Sequence, residues 1–306
     1  MKKLTVSVRL TRVLQFNLLS VDRMAHLLEL PEEVEAYRDR MWRRDTELRV
    51  EDARAAEEFI ESVGFCAALT DIRRPGPSLY LAVCGRRDAQ MPRNVQKDPE
   101  ASLTWTIKDQ VMRQGRVYYG KLIKGRATFM ARRLVPFFNT LWGVPRLAER
   151  KLLSAESLAV LRVLRREWEM ATPDLRLETG IPERSRLTRA LDELQRTFKV
   201  IPTDVTYEPS FTYIWSLTET RFGAELNQKV TKEEALKEIA RAYLVSAGLE
   251  GRGELARVTG LPATDAGLGN WALVDEDFAE RLAPGIYRLK EGLGQKSRGH
   301  SSSLFS

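Results

Sequence analysis

The chain has 306 residues, 43% of them hydrophobic, enough for two or three domains with cores of their own and too many for a disordered polymer. Lys and Arg number 49 against 42 Asp and Glu, giving +7 and a pI near 9.4, so the composition favours a polyanionic partner. Two histidines (His26, His300) and two cysteines (Cys66, Cys84) offer no metal-ligand or disulfide spacing, no glycine-rich phosphate loop occurs, and no apolar run approaches the roughly 18 residues of a membrane span. The expectation is a protein of the reducing cytoplasm that uses no metal and no nucleotide cofactor.

Residues 1–47 read as a helical segment, apolar around most of its circumference before Pro31. A mixed α/β domain follows over 48–150. Helix is expected from Val50 to Val63, stopped by Gly64; GFCAALTD reads as a strand, RRPGPS as a turn, and LYLAVC as a short helix stopped by Gly85. SLTWTIKD and VYYGKLIKGRATFM read as strands joined through Arg113-Gln114-Gly115, then Leu134 to Trp142 as a helix and 143–150 as a linker.

The stretch 151–222 reads as a complete winged helix-turn-helix. Leu158, Leu161, Val163 and Leu164 recur at helical spacing behind Ser154 and Ser157. A short helix at Pro173 to Thr179, with Thr172 as its cap, stops at the TGIP turn. A third helix, Glu183 to Arg196, puts Leu187, Leu191 and Leu194 on one face and Arg184, Arg186, Thr188, Arg189 and Arg196 elsewhere, which suits a recognition helix in a DNA major groove. FKVIPTDV and FTYIWSL, split by Tyr207-Glu208-Pro209-Ser210, make the wing.

A second, degenerate unit is expected over 230–292. It opens on the capping pair Thr231 and Glu234, repeats the TG-apolar-Pro step after ELARV, and ends in strands NWALVD and GIYRLKE. PATDAGLGN, in the recognition position, has no basic residue, so packing rather than DNA reading is expected of it. Residues 293–306 read as a disordered tail. The fold class is therefore α+β, helix-rich, with tandem winged helices after a mixed α/β half.

Between Lys108 and Arg133, eight cations stand against the single Asp109, a net charge equal to that of the whole chain. Lys108, Arg113, Lys121, Lys124 and Arg126 interleave there with Trp105, Tyr118, Tyr119 and Phe129, the mixture a surface needs to stack bases while neutralising phosphates; equally, it is what a hairpin with aromatics in the core and lysines in water would carry. Of these rings Tyr119 is the candidate base contact. Asp109 could activate water or steady a cationic sugar while Lys108 holds a phosphate, or the two could be a plain surface pair. A second polar group, Gln15, Asn17, Ser20 and His26, interrupts an apolar segment and needs partners or a cleft.

ALKEIARAYLVSAG with ELARVTGLP, LTRALDELQRTFKVIP, and PSLYLAVCGR with WTIKDQ and YYGKLIKGRATF together resemble the AlkZ/YcaQ-type DNA glycosylases, bacterial proteins of repeated winged helices, and in particular their AlkZ-related branch. The resemblance implies double-stranded DNA as partner and metal-free hydrolysis of the glycosidic bond of an alkylated or crosslinked base. It also implies a water-positioning motif, Gln-apolar-Gln or Gln-apolar-Asp, to which Gln15-Phe16-Asn17 is similar in spacing. Asn17 departs from that motif: a neutral amide orients water but accepts no proton. The rival reading is a non-catalytic winged-helix regulator whose Arg184 to Arg196 helix reads an operator.

Overall fold

A computed structural model describes residues 30–70 and 76–290. Gln15, Asn17 and His26, the first half of the RRPGPS turn and the tail with His300 lie outside the described residues.

One order of elements occurs three times: helix, strand, helix, helix, hairpin. In the first unit these are α2 (Ala53–Val63), β1 (Phe65–Ala67), α3 (Leu79–Cys84), α4 (Pro99–Gln114), β2 (Tyr118–Lys121) and β3 (Ala127–Met130), after a leading α1 (Glu32–Met41). Helices α5 (Val135–Trp142) and α6 (Glu149–Leu152) lead to the second unit: α7 (Ala155–Glu167), β4 (Glu169–Ala171), α8 (Thr172–Thr179), α9 (Arg184–Arg196), β5 (Val200–Thr206) and β6 (Thr212–Leu217). After α10 (Glu219–Leu226) the third unit has α11 (Lys232–Ala247), β7 (Leu249–Glu250), α12 (Glu254–Thr259), α13 (Ala263–Asp275), β8 (Ala279–Ala283) and β9 (Ile286–Leu289). Each unit closes an antiparallel sheet in which the last strand lies between the first and second: β1-β3-β2, β4-β6-β5 and β7-β9-β8.

Backbone conformation repeats with the topology. The junction from first helix to first strand takes a positive φ at Gly64, Trp168 and Gly248, and the second helix ends in the left-handed region at Gly85, Gly180 and Gly260. Glycine adopts that conformation without steric cost. Trp168, at φ 70° and largely exposed, is the bulky exception. The mixed α/β region of 48–150 thus has the same layout as the two units expected behind it.

Two expected strands are helices. SLTWTIKD lies inside α4, because Asp98 caps it by accepting from Ala101 N at 2.7 Å, Pro99 opens it, and Thr104, Ile107, Lys108 and Val111 fall on its buried face. The hairpin therefore does not turn at Arg113-Gln114-Gly115. Gly115 ends α4, and β2 and β3 both come from VYYGKLIKGRATFM. NWALVD is the second half of α13, where Ala266, Gly269, Asn270 and Leu273 face α11. A Cβ on Gly269 would stand 2.4 Å from the Leu236 carbonyl oxygen, so the close approach of α11 and α13 requires glycine there. The strand paired with GIYRLKE is Ala279–Ala283. Thr172 does not cap α8: Ala171 is the N-cap, and the Thr172 hydroxyl donates to the Tyr213 carbonyl at 3.1 Å and accepts from Trp215 Nε1 at 2.8 Å, tying α8 to the hairpin.

The first and third units share one core, with Phe65 against Phe138 of α5 and Tyr243 of α11. The second unit has a separate core of Leu161, Leu164, Leu187, Leu191, Leu194 and Trp215, and reaches the shared one through Phe198, Ile201 and Val205. Beneath the third unit, Arg38 of α1 donates to the carbonyls of Ala247 (3.0 Å) and Leu249 (2.6 Å) and pairs with buried Glu254 at 3.0 Å. Neighbouring Glu250 accepts from Asn270 Nδ2 at 2.9 Å and Leu255 N at 3.3 Å, but its Oε2 and Asn270 Oδ1 are buried without partners among the described residues.

Burial pushes the Glu250 carboxyl up to about 8, more than the hydrogen bonds from Asn270 and Leu255 pull it down. A carboxyl whose folded-state pKa is raised stabilises the fold while protonated, and that contribution drains away as pH climbs from the ordinary glutamate range through about 8. Thermal unfolding followed from pH 5 to 9 should show the loss, and Glu250→Gln should flatten it; an unchanged slope in the variant would assign the dependence elsewhere.

Candidate nucleic-acid interface

Helix α9 stands on the second unit with its leucines buried and Arg184, Arg186 and Arg189 exposed. Arg186 is ion-paired with Glu156 of α7. Among the described residues, Arg184 and Arg189 form no ion pair, nor does exposed Arg176 of α8. Arg196 donates from Nε to the Asp192 carbonyl of its own helix at 3.2 Å. This face keeps uncompensated positive charge at the end of the helix that follows the Gly180 turn.

The basic segment 108–133 differs, because most of its charge is answered locally. Arg113 reaches Asp204 of β5 at 2.5 Å and the Val205 carbonyl at 2.7 Å, Arg116 pairs with Glu57 at 2.6 Å, and Lys121 pairs with Asp192 of α9 at 2.8 Å. Arg132 and Arg133 pair with Glu225 and Glu61, each at 2.5 Å. Lys124 is exposed, without an ion pair among the described residues, and Arg126 is half-buried. Two of these pairs, Arg113 with Asp204 and Lys121 with Asp192, link the first unit to the second. Burial raises the Asp204 carboxyl, but the Arg113 guanidinium, the Val205 amide and the Arg221 charge together hold it below the usual carboxylate range.

Lys108 and Asp109 are both buried on α4, with Nζ and Oδ1 2.5 Å apart. Adjacent residues on a strand would point to opposite faces; on the helix they meet. The Lys108 ammonium lies 4.4 Å from the Trp105 ring centroid and 5.2 Å from that of Tyr213, whose hydroxyl accepts from it at 3.1 Å. Tyr119 and Phe211 complete the ring of aromatics at 5.8 and 6.0 Å. The Tyr207 hydroxyl, at the tip of the β5-β6 hairpin, donates to Asp109. Burial and that bond push the Tyr207 phenol up to about 12. Lys108 thus faces Asp109 and aromatic rings, not solvent.

A cleft of about 390 Å³ opens between α8, α9, the β5-β6 hairpin and β2. Tyr119, Phe211, Tyr213 and Trp215 line it, with Arg176, Arg184 and the Lys121–Asp192 pair among its polar groups. Tyr119 is 8% exposed and packs at a tilt against Phe129 at 4.8 Å, so little of it is open to the cleft. Sequence reasoning alone misses Arg176, Tyr207, Phe211, Tyr213 and Trp215 as site residues. The alternating aromatics of FTYIWSL are the one available signal, and only the fold brings them over α4.

The AlkZ-related family model matches residues 50–258, from just before α2 into α12. The chain belongs to the AlkZ-related family. The match takes in the first two units and excludes Gln15 and Asn17. The fold is also similar to that of the Streptomyces sahachiroi DNA glycosylase AlkZ, with a TM-score of 0.51 and 15% identity over 85% of this chain and 69% of that one. No curated protein matches the sequence. Among the described residues of this AlkZ-related chain, no group of three or more His, Cys, Asp or Glu could hold a metal ion, and no helix is long and apolar enough to cross a membrane.

Removing one partner of a buried ion pair leaves an uncompensated charge, at a cost of about 3–5 kcal/mol, whereas replacing both by apolar residues of similar volume is often neutral. Lys108→Met should therefore lower the unfolding free energy in urea by about that amount, and Lys108→Met with Asp109→Leu should recover most of it. Equal losses in the two variants would show that the pair is not coupled.

Proposed function

We propose that this chain is a DNA-binding protein of tandem winged-helix units, glycosylase-like in its role, acting in DNA repair on alkylated or crosslinked bases. The observation that carries the reading is the exposed positive charge of Arg184 on α9 and Arg176 on α8 at the mouth of an aromatic cleft, continued along the exposed face of α9 by Arg189. Cations at the rim suit phosphates, and rings of that size suit a base withdrawn from the duplex. Family membership and the AlkZ-like fold support the same reading.

In this reading α9 enters a groove of double-stranded DNA, with Arg184 and Arg189 on phosphates or base edges and the β5-β6 hairpin as a wing against the backbone. Arg186 is partly occupied by Glu156 and contributes less. Lys124, Arg126 and Arg196 extend the basic surface from the first unit and the far end of α9, while Arg113 and Lys121 act mainly by holding the units in register. Hydrolysis of the glycosidic bond needs a positioned water, and Gln15 and Asn17 are the proposed pair, orienting it through their amides. Asp109 lies behind the cleft's aromatic wall, where it can support cationic sugar character once the hairpin tip lifts.

Removing one phosphate interaction should lower the slope of log affinity against log salt by about 0.9 on duplex DNA. Titration of a duplex by fluorescence anisotropy across salt concentrations should show that decrease for Arg184→Ala and for Arg189→Ala, and a smaller one for Arg186→Ala. Salt-independent association in the unaltered protein would remove DNA as the partner.

A further inference from the structure

An ion pair buried on a helix stabilises less than well-packed apolar residues would, so its presence beside a cleft points to chemistry. Lys108 and Asp109 are 2% and 3% exposed, and Asp109 Oδ1, ion-paired 2.5 Å from Lys108 Nζ, accepts no hydrogen bond among the described residues. Tyr119, Phe211 and Tyr213 surround the ammonium on one side and line the cleft on the other, so one layer of rings separates the amine from a space large enough for a sugar. Two residues of that cover sit at the hairpin tip and are themselves open to solvent: Tyr207 is 57% and Phe211 47% exposed. The Tyr207 hydroxyl bond to Asp109 is what latches the tip to α4.

We propose that Lys108 is an amine nucleophile toward an abasic deoxyribose seated in this cleft, with Asp109 as its proton acceptor and the Tyr207–Phe211 tip as the cover that DNA displaces. The inference rests on the DNA-repair reading above and adds an activity to it, strand scission at abasic sites. Lys108 Nζ passes a proton to Asp109 and attacks C1′ of the ring-opened aldehyde, forming the C–N bond of a carbinolamine. Loss of the C1′ hydroxyl as water, with the proton returned from Asp109, gives the protonated imine. The Asp109 carboxylate then removes a C2′ proton, and the C3′–O bond breaks with its electron pair leaving on the phosphate. One strand ends in an unsaturated imine and the other in a 5′-phosphate. Asp109 gives the C2′ proton to the departing phosphate, and water hydrolyses the protonated imine, releasing the aldehyde and restoring the Lys108 ammonium. No oxidant or reductant enters the cycle.

Cyanoborohydride reduces such an imine to a stable amine. The full chain, incubated with a duplex holding one abasic site and this reductant, should give a covalent complex on a denaturing gel, with the adduct on Lys108 in the digested peptide map. Phe211→Ala should raise the yield by uncovering the amine. Lys108→Met with Asp109→Leu should reduce it to the no-protein background, with binding to the same duplex retained in anisotropy. Tight binding with no adduct, or an adduct on Lys121 in the cleft wall, would overturn the proposal and leave the DNA-binding reading standing. Failure to bind the duplex at all would overturn both.

Discussion

The contact of helix α4 with the hairpin of the next unit is the constraint on which the functional surface depends. Lys108, Asp109 and Arg113 on one side meet Tyr207, Tyr213, Asp204 and the Val205 carbonyl on the other. Two of these charges are buried and need each other, because a lone charge in that environment is costly. The arrangement orients the hairpin over α4 and lets β2 approach α9, where the Lys121 amide donates to Gln195 and its ammonium pairs with Asp192. The cleft exists because both seams hold.

Three copies of one layout meet different fates under this constraint. The third helix of the first unit is covered by the hairpin of the second. That of the third unit, α13, carries no cation and shows Leu268 and Trp271 to solvent, the latter under Arg281 at 4.7 Å. Among the described residues, only α9 is an exposed third helix with arginines that no carboxylate answers. Net charge along a segment is a poor guide to the field outside the fold: residues 108–133 hold as much net charge as the whole chain, yet most of their cations are bound to carboxylates, nearly all on other elements.

Elements with strong local signals are legible in the sequence. Helix α7 with its Ser154 cap, α11 with Thr231, the Gly85 and Gly180 stops and the β5-β6 hairpin all fall where their residues place them. The layout of the first unit is concealed because its helix α4 is rich in β-branched and aromatic residues, TWTI, that favour strand, while Asp98 and Pro99 outside the run set the helix. NWALVD misleads in the same way, since burial against α11 decides its state. For the site, the arginines of α9 can be read from periodicity, but the dependence of Lys108 on residues about a hundred positions away cannot. Tyr207 and Tyr213 become its neighbours only through packing of two units.

If this surface serves removal of a damaged base, release of free base from DNA is the observable nearest to that role. The protein is expected to liberate N7-alkylguanine from duplex DNA without added metal or nucleotide, and Gln15→Ala and Asn17→Ala are each expected to abolish release while DNA affinity holds. Tight binding to the same duplex with no base released from it, by the unaltered chain, would contradict a glycosylase role.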